Sequence, residues 1–122
     1  MIRTLSALLL TLAVHTAPAV AQDFMSVPDE QAFRALIDGR ELRIGLYNLS
    51  LRLAADGKIE GSAMGWGITG QWRWEDGYFC RAMDWSGKAI PDNCQLVEAK
   101  GEDTLRFTAD RGAGDQASFR LR

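Results

Sequence analysis

Few side chains in this 122-residue chain have the types and spacing needed for bond-making chemistry. The only histidine is His15, which lies in an N-terminal segment that we expect to be removed. Without a histidine, the Ser-His-Asp and Cys-His arrangements of nucleophilic catalysis are not available. Paired carboxylates remain, because a glycosidase needs only two at a suitable separation. The sequence therefore predicts no catalytic residue, and the alternative is a small hydrolase that uses Asp84 with a second carboxylate.

Two tryptophans are the best candidates for contact with a ligand. Trp66 in MGWGIT and Trp85 in DWSGK lie beside glycines and near predicted strand ends, where loops surround the mouth of a sheet or barrel. An exposed aromatic ring at such a place can stack on a ligand, and Asp84 or Arg81 can add a polar contact. The alternative is that both rings cover an open end of the core. We predict a ligand-binding site made of Trp66, Trp85, Arg81 and Asp84.

The chain has two cysteines, Cys80 and Cys94. In an exported protein they predict a disulfide, because the compartment is oxidising. Two thiolates without histidine make a poor zinc site, which usually needs four nitrogen or sulfur ligands. The glycine-bearing segment DRGAGDQ, residues 110–116, predicts a hairpin loop, since a phosphate loop would open a helix and here a strand follows. We expect no metal site and no cofactor.

Residues 1–21 have the pattern of an export signal. Arg3 supplies the positive start, Leu5 to Val14 form a mostly apolar core, and Ala19 to Ala21 give a small-x-small cleavage site. The apolar core is shorter than the roughly 20 residues of a membrane-spanning helix. Loss of Arg3 changes the net charge from −2 to −3, which is not typical of a nucleic-acid-binding protein. We expect residues 22–122 to form a single periplasmic or secreted domain, monomeric, with no membrane span and no nucleic-acid partner.

The spacing of apolar residues predicts one short helix followed by strands. Phe33, Leu36 and Ile37 recur at helical spacing and Gly39 is a suitable stop, so a helix is expected at about 28–38. Beyond Gly39 the period is two, and turn residues separate eight strand candidates, at 41–47, 49–54, 58–64, 68–74, 78–84, 94–99, 104–109 and 117–121. Such short connections favour antiparallel neighbours. The fold prediction is mainly β, an antiparallel up-and-down meander of seven or eight strands that closes into a small lipocalin- or avidin-like barrel, with a two-sheet sandwich as the alternative.

Two segments predict hairpins. In each, the separation of apolar and polar side chains onto opposite faces favours one strand register over another. In LSLRLAADGKIEGSA, a three-residue loop at 55–57 separates apolar from polar faces, sets Arg52 opposite Glu60 and gives Gly57 a left-handed backbone.

The second hairpin is GQWRWEDGYFCR. A three-residue loop at 75–77 places Trp72 and Trp74 in the core, opposite Cys80 and Tyr78, with Arg81, Phe79 and Met83 outside. A two-residue loop would instead place Arg81 on the inner face with the tryptophans. Because burial of an unpaired guanidinium is expensive, we predict the three-residue loop.

The runs GQWRWEDGYFCR, CQLVEAKGEDTLRF and DRGAGD, which lie within residues 70–115, resemble a group of short exported bacterial proteins of unknown function. The shared pattern is G-x-W-x-W-x-D-G-Y-F-C-R, then C-Q, L-R-F and R-G-A-G-D. Some members are labelled dihydrodipicolinate reductase. That reductase is similar to a longer Rossmann enzyme with a glycine-rich nucleotide turn and a histidine-rich motif, and this chain has neither, so the sequence does not support hydride transfer.

These observations predict an exported β-barrel module without catalytic residues that binds a small molecule or a partner protein. Two other functions remain open at this point. One is the carboxylate-dependent hydrolase, and the other is a structural or inhibitor-like protein of the cell envelope.

Overall fold

The computed structural model describes residues 10–16 and 23–122, and about two thirds of the second range forms one antiparallel sheet and one α-helix. In chain order the elements are β1 (Met25–Ser26), α1 (Glu30–Ile37), β2 (Leu42–Ile44), β3 (Leu49–Leu53), β4 (Lys58–Ala63), β5 (Trp66–Glu75), β6 (Tyr78–Trp85), β7 (Lys88–Lys100), β8 (Thr104–Thr108) and β9 (Gln116–Leu121).

Strands β2 to β9 form a closed eight-stranded barrel. Each strand pairs antiparallel with the next in sequence, and β9 pairs back onto β2 through Leu42 opposite Leu121 and Arg43 opposite Arg120. The two-residue strand β1 adds to the edge of β7, outside this closed set. The predicted up-and-down barrel is therefore confirmed, and the alternative of a two-sheet sandwich is not what forms.

Helix α1 lies within the predicted range of 28–38 and closes one end of the barrel. The Asp29 side chain accepts a hydrogen bond from the Ala32 amide, which satisfies one of the free N–H groups of the first turn. Gly39, with φ of +64°, takes the left-handed conformation that commonly follows a helix. Phe33 is fully buried and packs against Trp72, Trp74, Phe79 and Phe107. The helix thus closes this end of the barrel, and its Phe33 lies at the centre of an aromatic core.

The β3–β4 hairpin has the predicted register. Leu53 lies opposite Ile59 and Arg52 opposite Glu60, and the Ala54 amide donates to the Lys58 carbonyl across a three-residue loop. Gly57 has φ of +94°, as expected for the left-handed position. Apolar patterning alone was sufficient to fix this hairpin.

The predicted register of the β5–β6 hairpin is wrong. Trp72 lies opposite Arg81 and Trp74 opposite Phe79, so the turn has only two residues, Asp76 and Gly77. Both have positive φ, 52° and 86°, as in a type I′ turn, whose twist matches that of the flanking strands. As a result Phe79 is in the core, Met83 packs against it, and Arg81 faces the interior.

Strand β7 is longer than predicted and begins at Lys88 instead of residue 94. The predicted strands leave residues 85–93 as a connection, but Pro91 and Asp92 lie in a bulge opposite Ala82, where the pairing of β6 and β7 shifts by one residue. Bulges tolerate a residue that cannot donate to the ladder. Beyond the bulge, Cys80 and Cys94 are directly opposite each other and form the predicted disulfide.

The antiparallel order separates the barrel into two ends. The connections on the side of α1 are short and packed by the helix, whereas the other end carries the remaining four connections, at residues 45–48, 64–65, 86–87 and 109–115. We call this second end the mouth.

The predicted export signal, residues 1–21 with cleavage after Ala21, lies largely outside the described residues, and residues 10–16 form no helix or strand. Within the described ranges, no helix has the length and apolar character needed to cross a membrane.

Removal of the disulfide by the double substitution Cys80→Ala, Cys94→Ala should lower the free energy of unfolding by about 3 kcal/mol, because the cross-link restricts a loop of about 15 residues in the unfolded chain. Urea unfolding measures the change. Wild-type protein in a thiol reductant should match the double variant, whose own stability should not respond to the reductant. A loss below about 1 kcal/mol would contradict the expectation.

Candidate functional site

The barrel encloses a cavity of about 360 Å³ that reaches from the core to the mouth. Its inner walls are apolar, with side chains from β2, β3, β4, β6, β8 and β9 that include Leu42, Leu51, Leu53, Ile59, Phe79, Met83, Phe107 and Phe119. Toward the mouth the lining changes to Gln95, Ala109, Asp115 and Gln116, of which Asp115 and Gln116 are exposed. A cavity with apolar walls and a few polar groups near its opening is typical of small-molecule sites, which span about 300–1,000 Å³.

Among the described residues, Arg81 is the only basic side chain in the lining of this cavity. It projects from the middle of β6, between Phe79 and Met83 on the same face, and its Nη1 donates to the Pro91 carbonyl oxygen at 2.8 Å. Burial lowers the pKa of Arg81 below its ordinary value, and the Asp92 carboxylate partly opposes this effect. Arg81 is thus a partly buried cation whose surroundings are largely apolar.

The wall of the barrel is incomplete next to Arg81. Strand β8 pairs only with Leu96–Lys100 of β7, so among the described residues the first part of that strand edge has no strand partner. A loop closes the edge instead, because the Asn93 amide group donates to Asp110 Oδ1 at 2.7 Å and the Asp110 amide donates to Asn93 Oδ1 at 3.0 Å. This loop confirms the predicted β8–β9 hairpin connection.

The loop carries backbone strain. Asp110 and Arg111 both have φ of 54°, an uncommon value for residues other than glycine. The guanidinium of Arg111 lies 5.1 Å from the centre of the Tyr78 ring, which fastens the loop to β6. The mouth therefore contains a strained loop beside the polar residues of the cavity lining, and contacts with Asn93 and Tyr78 hold this loop in place.

The four predicted ligand-binding residues do not form a single site. Arg81 lies in the cavity, whereas Trp66, Trp85 and Asp84 do not line it. Trp85 packs against the core at the mouth, and its Nε1 donates to the Ala63 carbonyl. Asp84 is exposed, and its Oδ1 accepts a hydrogen bond from the Gly87 amide in the β6–β7 turn.

Trp66 belongs to a different feature, an exposed apolar rim on one side of the mouth. We define this rim as four side chains that are each more than half exposed, namely Leu46, Tyr47, Met64 and Trp66. A hydrogen bond from the Met64 amide to the Tyr47 carbonyl joins the two loops that carry them. Clusters of exposed apolar side chains commonly mark interaction sites.

Charges on the outer wall cover the disulfide. Arg73 contacts Asp92 at 2.8 Å and Glu75 at 3.0 Å, and this pairing raises the pKa of Arg73 and lowers that of Asp92. Within the described residues, the one group with metal-ligand proximity is Glu75 with Cys80 and Cys94. Both of its sulfur atoms are in the disulfide, so they are not thiolates that could bind a metal.

A larger groove of about 560 Å³ lies outside the barrel, between α1 and the β3–β4 hairpin. Its basic side chains each lie within 4.0 Å of a carboxylate, as shown by Arg34 with Glu30, Arg40 with Asp103, Arg52 with Glu41 and Lys58 with Asp56. Because these charges are already compensated, the groove offers less to a ligand than the cavity does.

The sequence analysis missed the polar cavity residues Gln95, Asp115 and Gln116. The signal that could have found them is the Asp76-Gly77 pair, because a type I′ turn at that point places Arg81 and Gln95 on the inner face.

Arg81→Met should leave the free energy of unfolding unchanged or raise it by up to about 1 kcal/mol, because the loss of one hydrogen bond is offset by the removal of a partly buried charge. Arg106→Met is the matched control. Its guanidinium donates to Glu98 Oε1 at 2.9 and 3.1 Å, so its removal should cost about 1–2 kcal/mol. Urea unfolding distinguishes the two, and a loss above about 2 kcal/mol for Arg81→Met would make Arg81 a structural residue.

Comparisons with known proteins do not assign the chain to a family. No family model, curated protein or solved structure matches it. What this protein does must therefore be inferred from the barrel and from the residues inside it.

Proposed function

We propose that this protein binds a small amphipathic molecule inside its barrel, in the periplasm or outside the cell. The observation that carries the proposal is the cavity of about 360 Å³, which has apolar walls, an opening at the mouth and the uncompensated cation of Arg81 inside. The disulfide is compatible with an oxidising compartment.

The arrangement of the core supports binding at the mouth and not at the helix end. At the helix end, Phe33 and the aromatic residues around it are in mutual contact, with ring centroids 5.1–6.3 Å apart. A close-packed interior leaves no space for a ligand. The space that remains is lined by Phe79 and Phe107 and extends to Ala109, Asp115 and Gln116 at the mouth.

The polar groups of the cavity support an amphipathic ligand over a purely apolar one. Arg81 and Gln95 lie on neighbouring strands and present N–H donors to a space that is otherwise lined by hydrocarbon. A purely apolar ligand would leave these donors without water or partner, which is costly. A ligand with an apolar body and a polar group would satisfy both parts of the lining.

The neutral fluorescent probe N-phenyl-1-naphthylamine should bind with a Kd of about 10 µM, which corresponds to about −7 kcal/mol. Ala117→Phe adds a ring to the cavity lining and should weaken binding at least tenfold. Fluorescence titration measures both.

Ala89→Phe is the matched control, because Ala89 is exposed on β7 opposite Asp84 and outside the cavity. Its Kd should stay within twofold of the wild-type value, and thermal unfolding shows whether each variant is folded. Failure of the wild-type protein to bind the probe, or equal weakening by both variants, would contradict the proposal.

A second candidate function is contact with a partner protein, which is favoured by the exposed apolar rim of Leu46, Tyr47, Met64 and Trp66. It is compatible with a ligand in the cavity, since the rim lies outside the cavity lining.

A photoreactive benzoylphenylalanine at position 66, in cells that export the protein, should give a discrete cross-linked species if the rim contacts a partner. The same group at position 71 is the control, because Gln71 is exposed on the wall of the barrel. Gel analysis after irradiation detects the cross-linked species from both positions. If position 71 gives the same species as position 66, the rim is not a specific contact site for a partner protein.

A further inference from the structure

Arg81 is the one partly buried arginine of the described residues that has no carboxylate within 4.0 Å, since Arg111, Arg120 and Arg122, which also lack one, are exposed. Six arginines of the described chain lie within 4.0 Å of a carboxylate, namely Arg34, Arg40, Arg43, Arg52, Arg73 and Arg106. No carboxylate within the described ranges lies so close to Arg81, whose one hydrogen bond is to the Pro91 carbonyl. A guanidinium has five N–H donors in a planar fork, so most of its donors remain free.

This arrangement is energetically unfavourable in the empty protein. A charge that is taken out of water without a counter-ion is costly unless other groups compensate. The side chain is only partly buried, and its hydrogen bond to Pro91 lies at an exposed position, so water offsets part of this cost but supplies no counter-ion. A bound anion would supply the missing charge and accept two parallel hydrogen bonds from the fork.

The rest of the lining defines what the anion must be attached to. Phe79 and Met83 flank Arg81 on β6, and Leu51 and Phe119 belong to the facing walls. These side chains fit a hydrocarbon or aromatic body. Gln95 can add an amide N–H to the acidic group.

We infer that the ligand of the cavity is a monoanionic amphiphile, a compact apolar molecule with one oxyanion group that Arg81 binds through two hydrogen bonds. This inference rests on the proposed function, because it names the class of ligand for the same cavity. A single negative charge matches the single uncompensated cation. Asp115, which is exposed at the mouth, disfavours further negative charge.

Decanoate and decanol form a matched pair of probes, since they share a ten-carbon chain and differ in charge at pH 7.5. Isothermal titration calorimetry should show decanoate binding at least tenfold more tightly than decanol to the wild-type protein. Arg81→Met should remove this preference, because it weakens the binding of decanoate far more than that of decanol. Arg81→Lys should retain part of the preference, since it keeps the charge but loses the planar fork.

Two further variants control for charge alone. Arg120→Met removes an exposed charge on β9 and should leave the decanoate preference unchanged. Asp115→Asn removes the negative charge at the mouth and should tighten decanoate about twofold, an effect that added salt should reduce. If Arg81→Met and Arg120→Met reduce the preference for decanoate over decanol equally, Arg81 is not the residue that binds the anion.

Decyl sulfate distinguishes the possible acidic groups. Binding comparable to that of decanoate supports a site for oxyanions in general, and weaker binding supports a carboxylate. If decanol binds the wild-type protein as tightly as decanoate does, the anionic ligand is overturned while the cavity function stands. If none of the three probes binds, and N-phenyl-1-naphthylamine does not bind either, the proposed function itself fails.

Discussion

The two-residue turn at Asp76 and Gly77 determines which side chains of β6 enter the barrel. Side chains alternate across a strand, so one additional loop residue would exchange the two faces of β6. With the observed turn, Phe79 completes the aromatic core, Arg81 enters the cavity and Cys80 faces outward, where it meets Cys94. The core, the candidate site and the disulfide all depend on this one register.

The two ends of the barrel differ in packing, because the helix end is close-packed and the mouth is open. At the helix end, Phe33 fills the space between the walls, and the Arg34 guanidinium donates to the Ala55 carbonyl of the β3–β4 loop. At the mouth no α-helix of the described residues covers the barrel, and a loop with two non-glycine residues at positive φ closes the gap beside β7. A partly buried cation at that end is tolerable because the aromatic core and the disulfide stabilise the remainder of the fold.

The bulge in β7 explains how the wall accommodates Arg81. Pro91 has no amide N–H and so cannot act as a donor in the ladder, but its carbonyl oxygen is free to accept from the guanidinium. Asp92, next to it, pairs with Arg73 on the outer face, so its carboxylate offsets the charge of Arg81 only in part. The same irregularity that lengthens β7 thus leaves the cation available to a ligand.

The sequence by itself determined the helix, the antiparallel order, the disulfide and the β3–β4 register, because each of these follows from local spacing and from the separation of apolar and polar faces. It favoured a barrel over a two-sheet sandwich, and the pairing of β9 with β2 decided between them. It did not determine the β5–β6 register, although the Asp-Gly pair at 76–77 favoured a two-residue turn. The cost of burying an unpaired guanidinium favours the other register, and the open wall beside Arg81 that lowers this cost is a property of the tertiary structure. Only the tertiary structure showed that Pro91 offers an acceptor, that β8 leaves part of β7 unpaired, and that a cavity remains beyond the aromatic core. These features arise from strands far apart in the chain, so no short segment of the sequence encodes them.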